Sequence, residues 1–322
     1  MTAPLVSVLV PAYRAEAYLA ETLESVLAQT WPNLEVVVVD DGSPDGTLEV
    51  ARRFEPRGVR VVAQGGNRGQ TATLNRALAE MSPDTAFVQY LDADDTISPN
   101  KIEAQVRRLL AEPPGTLATC SWARFYNGDP ASAVFKTFHD HRDYPDPLGW
   151  LVDDWTGRGT MPPGAWLYPR AVVDAVGPWH EGLSLNNDME YFTRACLAAS
   201  GIAFVPEARL YYRSGHANLS GRRDAAAMAS QREVIRLSTG RLLAREDSPR
   251  TRHASACYWQ SLAFMAFPDH PALVAEAEAR AAELGGGTLT YGVARPFRPV
   301  RDLVGWKPAA RLNRLWNRLR HG

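Results

Sequence analysis

Residues 87–95 read FVQYLDADD. Five residues of buried-strand character run into three carboxylates within four positions, so the chain passes from a covered strand directly into an acidic loop. Residues 37–47, VVVDDGSPDGT, repeat the arrangement upstream, with Asp40 and Asp41 following an apolar run. Asp, Gly, Ser and Pro also suit a tight chain reversal, so this second site has a purely structural reading as well.

Further valine-rich strand signals fall at residues 6–10 and 59–62. Between the strands lie helical patterns. Leu19, Leu23, Val26 and Leu27 share one face of a helix expected over 16–29, which Trp31-Pro32 ends. Leu74, Ala77, Leu78 and Met81 mark a second, after Asn67. Beyond the acidic loop, Ser98 and Pro99 suit a cap and first helical position, with Ile102, Val106, Leu109 and Leu110 as the buried stripe. Valine-rich strands alternating with helices predict an α/β fold, a mainly parallel, Rossmann-like central sheet flanked by helices. Ligands bind such sheets at the carboxyl ends of the strands, where Asp41, Asp92, Asp94 and Asp95 fall.

Residues 115–163 are rich in aromatics, Pro and Gly and read as a pocket-building or mixed-strand region. Another unit runs from Trp179 through a helix at 188–199 to Tyr212. After Gly221 helical patterns dominate, so the expected division is a catalytic domain over 1–222 and a mainly helical extension over 223–322. The 322-residue chain is 45% hydrophobic, ample for a core. Its net charge of -1 argues against a whole-surface nucleic-acid binder. Cys120, Cys196 and Cys257 are few, odd in number and widely spaced, which favours a reducing compartment. With no secretory signal pattern and no spanning apolar run, the expectation is a cytoplasmic protein.

Repulsion among Asp92, Asp94 and Asp95 is costly unless a hard divalent cation brings carboxylate and phosphate oxygens together. Asp92 and Asp94 are the better pair for such an ion, Mn2+ or Mg2+; Asp95 suits orienting the loop or capping a helix. Solvated acidic turns are the structural alternative.

In chain order, VSVLVPAYRAEAYLAETLESVLAQTWPNLEVVVVDDGSPDGT, NRGQTATLNRAL, QYLDADD, PPGAWLYPR, the helix-opening NND and YYRSGHANLS span roughly residues 5–220. This ordered set resembles the family 2 inverting glycosyltransferases, whose catalytic domain has the GT-A fold. The resemblance implies a nucleoside-diphosphate sugar as donor, with UDP or dTDP favoured, and a carbohydrate or glycolipid acceptor in bacterial cell-envelope synthesis. It assigns Pro11, Ala12, Tyr13 and Asp41 to the nucleotide pocket and brings Arg68 toward the diphosphate. Asp92 is given to ribose or diphosphate coordination, with Ala93 beside it, and Asp94 to direct metal ligation. His216 is given a metal or diphosphate contact, and Asp188 the role of catalytic base. Asn187 departs from the family, which usually has an acid there. Local physics offers a second reading of this segment: Asn187 as N-cap, Glu190 as its capping-box partner, and Asp188 favoured by the helix dipole. Trp155, Trp166 and Trp179 are possible sugar-facing rings or core fillers.

A nucleotidyltransferase acting on sugar phosphates and a noncatalytic carbohydrate-binding protein are the competing classes. The first lacks a glycine-rich, basic phosphate-activation segment here; the second leaves the acidic constellation without a purpose. Finally, Leu312, Leu315, Trp316 and Leu319 follow i, i+3, i+4, i+7 spacing in a helix expected from Pro308 to Arg320. Arg301, Lys307, Arg311, Arg314, Arg318 and Arg320 against Asp302 make residues 301–322 strongly basic, +5 net. Three fates fit this tail: weak attachment to an anionic membrane, docking to a partner, or packing against the chain's own domain.

Overall fold

The structure, a computed structural model, describes residues 3–126, 128–215 and 221–321. Contacts divide it into one unit of Met1–Asp154 and Arg158–Arg222 and a second of Trp155–Gly157 and Arg223–Gly322.

In the first unit, β1 (Leu5–Ala12), β2 (Leu34–Asp40), β3 (Val59–Ala63) and β4 (Thr85–Tyr90) form a parallel sheet in the order β3-β2-β1-β4. Val6, Val8, Leu9, Val10, Val37, Val38 and Val39 are wholly buried, as strands covered on both faces require. Covering and crossing this sheet are α1 (Leu19–Leu27), α2 (Thr47–Arg52) and α3 (Gln70–Glu80). The mainly parallel sheet expected from the valine runs is therefore present.

The chain next forms the short β5 (Thr96–Ile97), α4 (Lys101–Ala111), β6 (Thr116–Tyr126) and α5 (Leu148–Trp155). β7 (Tyr168–Pro169) adds to β4 antiparallel, and α6 (Arg170–Val176) and α7 (Asn187–Ala198) follow. β8 (Gly201–Ser214) pairs parallel with β6 and antiparallel with β5, giving a second, three-stranded sheet. β5 directly follows the acidic loop, so this sheet fixes the loop's far end.

Several boundaries differ from the sequence reading for local reasons. The first helix starts at Leu19 instead of 16 because Arg14 is left-handed (φ 51°) and the Ala15 N–H donates to Thr47 Oγ1 (2.8 Å). α4 starts at Lys101 with Asn100 as N-cap; Ser98 instead bonds Asn100 Oδ1 and receives the Arg209 N–H. Leu110, expected in the stripe, is 59% exposed. At α7 the cap is Asn186, left-handed at φ 57°, a conformation Asn tolerates. Glu190 makes no capping box: it is buried and paired with Arg194, one turn on, at 2.8 Å. Trp155, Trp166 and Trp179 are all core residues. Trp166 meets Trp150 edge to face with centroids 4.8 Å apart, and Trp179 stacks on Tyr191 at 4.0 Å.

The second unit contains α8 (Ala225–Arg245), α9 (Pro249–Ala266), α10 (Pro271–Glu283), α11 (Arg298–Val304) and α12 (Trp306–His321). Ser248 opens α9 with a capping box to Thr251 and Pro249 at the first position. Trp155 stacks on Tyr258 of α9 at 4.7 Å. α12 begins two residues before Pro308, the start expected from the sequence. Among the described residues no helix is long and apolar enough to cross a membrane.

Removing a wholly buried indole leaves a cavity the surrounding aromatics cannot fill. Trp166→Ala therefore lowers stability by about 4 kcal/mol. Urea unfolding followed by circular dichroism reads this as an earlier midpoint; an unmoved midpoint would place Trp166 outside the core.

Candidate active site

β1 and β2 end side by side, with Ala12 in register with Asp40. Asp41 follows, buried, its N–H donating to the Ala12 carbonyl at 2.8 Å. Its carboxylate organises the neighbouring loop: Oδ1 accepts from the Arg68 N–H (2.7 Å) and Gln64 Nε2 (3.1 Å), and Oδ2 from the Gly69 N–H (2.9 Å). Gly42 permits this approach, because at φ 66° a Cβ there would lie 2.7 Å from the Gly66 backbone. Any base contact by Asp41 adds to a carboxylate that already accepts three bonds. Tyr13, 42% exposed, projects beyond Pro11 and Ala12 with the Arg14 guanidinium 5.4 Å from its ring centroid. The Arg68 side chain is exposed. Thus Pro11, Ala12, Tyr13, Asp41 and Arg68 share the carboxyl-terminal edge of the sheet.

The acidic loop leaves β4 on the same edge, the Leu91 N–H donating to the Leu9 carbonyl (3.1 Å). Ala93 is buried and its carbonyl accepts from Thr22 Oγ1 of α1 (3.0 Å), fastening the loop between its two outer carboxylates. Asp92 and Asp94 are half-buried, whereas Asp95 is fully enclosed. Asp95 Oδ1 accepts the Arg213 N–H at 2.8 Å; its Oδ2 has no hydrogen-bond partner among the described residues. Arg213 also donates from Nε to the Asp94 carbonyl (2.7 Å), pairs with Glu21, and lies against the rings of Tyr18 and Phe125.

Asp188 stands in the first turn of α7, Oδ1 accepting the Met189 N–H at 3.0 Å. Next to it, Asn187 donates to Gln70 Oε1, and Gln70 Nε2 donates to Asp92 Oδ1, both at 3.3 Å. This amide chain links α7, α3 and the acidic loop. Electrostatics join the same groups. Burial, then Asp94, then Asp188 push the Asp92 carboxyl up to about 7. Burial raises Asp188, and burial with Asp94 and Asp92 raises Asp95 well above the carboxylate range. Tyr212 of β8 is pushed up by burial and by Asp92, Asp95 and Asp94 together.

Sequence reasoning missed Gln70 and Asp154, and it singled out the YYRSGH segment without assigning Tyr212 and Arg213 to the acidic loop. Burial together with Asp140 and Asp188 raises Asp154 well above its usual range, so it extends the acidic group beyond Asp188. One signal was available: acids in the last turn of α5 oppose the helix dipole and need another purpose. Asp153 answers part of it, bonding Arg142 (2.6 Å) and the Tyr144 hydroxyl (2.8 Å). His216, the third expected metal contact, lies outside the described residues.

Among the described residues no group of three or more His, Cys, Asp or Glu is placed to hold a metal ion. Asp92 and Asp94 fit an open site, in which Mg2+ or Mn2+ takes its remaining oxygens from phosphate and water.

A strand-end acidic loop and an acid-bearing helix start thus meet at the carboxyl-terminal edge of a mainly parallel sheet. The sequence profile of Glycosyl transferase family 2 matches residues 7–177, and the chain belongs to that family. An uncharacterized glycosyltransferase of Haemophilus influenzae is 33% identical over 112 residues, 34% of this chain and 44% of that protein. The "Putative teichuronic acid biosynthesis glycosyltransferase TuaG" of Bacillus subtilis is 36% identical over 109 residues, 33% of this chain and 42% of its own length. The matches thus span less than half of these two relatives. Two solved structures share the GT-A-like fold. Staphylococcus aureus TarS in complex with UDP-GlcNAc has a TM-score of 0.63 at 20% identity, covering 87% of this chain and 88% of that one. The Pyrobaculum calidifontis mannosyltransferase PcManGT, with GDP-Man and Mn2+, has a TM-score of 0.56 at 20% identity, covering 97% and 87%.

The shift at Asp92 sets a pH dependence for the metal-free chain. Its carboxyl holds a proton to about pH 7 when folded, against an ordinary value of 3.8. Between those limits the folded state binds more protons, so this group's contribution to stability is full at low pH and is lost as pH rises through the window. Urea midpoints in EDTA should therefore fall from the acid to the neutral end, and fall less in Asp92→Asn. An equally steep fall in the variant would disprove the assignment.

Proposed function

We propose that the chain transfers a sugar from a nucleoside-diphosphate sugar to an acceptor hydroxyl, with inversion, in bacterial cell-envelope polysaccharide or glycolipid synthesis. The observation that carries this is the amide chain that joins Asn187, next to Asp188, through Gln70 to Asp92 of the acidic loop, with Asp94 and Asp188 both raising the Asp92 carboxyl. UDP or dTDP is the favoured donor nucleotide. TarS, with the same fold, binds UDP-GlcNAc, PcManGT binds GDP-Man and Mn2+, and TuaG's name points to teichuronic acid.

In this reading Asp188 accepts the proton of the acceptor hydroxyl as its oxygen attacks the anomeric carbon. Burial suits it to that task, since a raised carboxyl is a better base. Asp92 and Asp94 hold the ion and the donor diphosphate, with Gln70 steadying Asp92 and Arg213 holding the Asp94 backbone. A bound Mg2+ or Mn2+ would supply charge neutralisation for the departing nucleoside diphosphate. Tyr13 borders the base and Arg68 approaches the phosphates from the turn that Asp41 builds. His216 is proposed as a further metal or diphosphate contact. One displacement inverts the anomeric centre, so no covalent sugar intermediate is required. An acceptor carried on lipid is met at a membrane surface, which makes peripheral membrane contact part of the proposal and the cytoplasmic face its place.

Asp188→Asn should lower kcat by about 100-fold or more while calorimetry still detects UDP binding with Mn2+. Near-parental turnover removes Asp188 from the base role. Asp94→Asn should remove most transfer at every Mn2+ concentration with an unchanged circular dichroism spectrum; full rescue at high Mn2+ would reduce Asp94 to an affinity contact.

A further inference from the structure

α12 has two unlike faces. Ala309 and Ala310 are buried, Trp306 packs against Phe264, Phe267 and Tyr291 with centroids 4.8 to 5.3 Å apart, and Asn313 Oδ1 accepts the Ala294 N–H. These residues seat the helix within the second unit. Leu312, Leu315, Trp316 and Leu319, one helical stripe, are instead 41%, 56%, 38% and 76% exposed. Leu303 and Val304, just before the helix, are 85% and 66% exposed. Large apolar side chains are thus concentrated on one solvent-facing stretch, where water makes them costly.

Alongside the stripe runs a cationic flank of Lys307, Arg311, Arg314 and Arg318, at helical spacings of three and four. Lys307 is paired with Glu278 and Arg314 with Asp269, each near 2.7 to 2.8 Å. Arg311 and Arg318 are exposed and have no carboxylate partner among the described residues. The flank borders a cleft of about 840 Å³ that combines Arg223, Arg314 and Arg318 with Phe264, Phe267 and Tyr291, and that also holds Asp269, the partner of Arg314. Cations over an aromatic floor suit a phosphate with methylenes attached.

We infer that the outward face of α12, with Leu303 and Val304, docks on an anionic lipid bilayer. The leucines and Trp316 enter the headgroup boundary while the arginine flank lies against lipid phosphates. Charge complementarity selects this occupant: a protein groove could cover the stripe, but the adjoining exposed arginines, Arg318 and Arg311 (the latter 5.6 Å from the Phe267 ring centroid), fit a negatively charged surface. Its biological purpose rests on the proposed envelope role, whereas the surface itself does not depend on the transfer chemistry. One short amphipathic helix by itself gives reversible attachment.

The test is sedimentation of the full chain with phosphatidylcholine vesicles and with vesicles containing phosphatidylglycerol. Binding is expected to the anionic vesicles alone, weakening as salt rises. Arg311→Gln/Arg318→Gln should lower it by roughly thirty-fold, and Leu315→Ser/Leu319→Ser by about tenfold or more. All four side chains are exposed, and UDP binding checks that both variants remain folded. No recovery of the parent with anionic vesicles overturns the inference, as does equal recovery with both lipids. Sedimentation velocity covers the rival occupant: a dimer lost in the leucine variant, without vesicle binding, assigns the stripe to a second copy and overturns it too. Donor hydrolysis in lipid-free solution separates the two readings, since absent hydrolysis with intact vesicle binding would defeat the proposed activity alone.

Discussion

Like charge is the constraint around which the site is built. Asp92, Asp94 and Asp95 leave one strand end together, and Asp188 reaches the same region from α7. Bringing such groups into a partly dry space is unfavourable unless protons, fixed donors or a cation compensate. The fold supplies part of the compensation through Arg213. Its backbone and guanidinium hold Asp95, the Asp94 carbonyl and Glu21 at once, which ties β8 of the small sheet to the loop that follows β4. Without the second sheet, the loop would have one anchored end. Asp92, which among the described residues receives only the Gln70 amide, keeps its carboxyl raised to about 7.

This division of labour explains why two sheets of such different size are needed. The parallel sheet is a rigid support whose strand ends line up Asp41 and the acidic loop, each locked to β1 by a backbone bond. The smaller sheet contributes almost no donor-facing edge of its own, but its long strand carries Arg213 and Tyr212 to the carboxylates. Asp41 shows the same economy. Its three accepted bonds shape the 67–69 turn, so one side chain fixes the loop beside the end of β2.

The parallel strands were legible because burial on both faces leaves an unbroken valine run, and the acidic loop because three carboxylates after such a run have few other uses. β6 and β8 were not. Residues 116–126 pair with residues 201–214 across a register shift at Cys120/Ser121, and no local pattern records a partner that distant. The start of α7 shows how spacing misleads. Glu190 stands three residues after Asn187, as a capping box demands, yet four before Arg194, and the buried ion pair prevailed. Gln70 reaches Asp92 and Asn187 through tertiary proximity alone. For the tail, periodicity revealed the stripe, but only the buried alanines showed which face the helix turns inward.

The amide chain from Asn187 through Gln70 to Asp92 has a direction. Because Asn187 donates to the Gln70 oxygen, the Gln70 nitrogen is turned toward Asp92, where it favours the ionised carboxylate. An acid at position 187, the usual family residue, would accept instead of donate. It would turn the Gln70 amide over and present an oxygen to Asp92, a contact that requires Asp92 to keep its proton. The neutral residue at 187 thus sets which end of the Gln70 amide Asp92 meets, a single hydrogen bond that works against the larger effects of burial and neighbouring acids on that carboxyl.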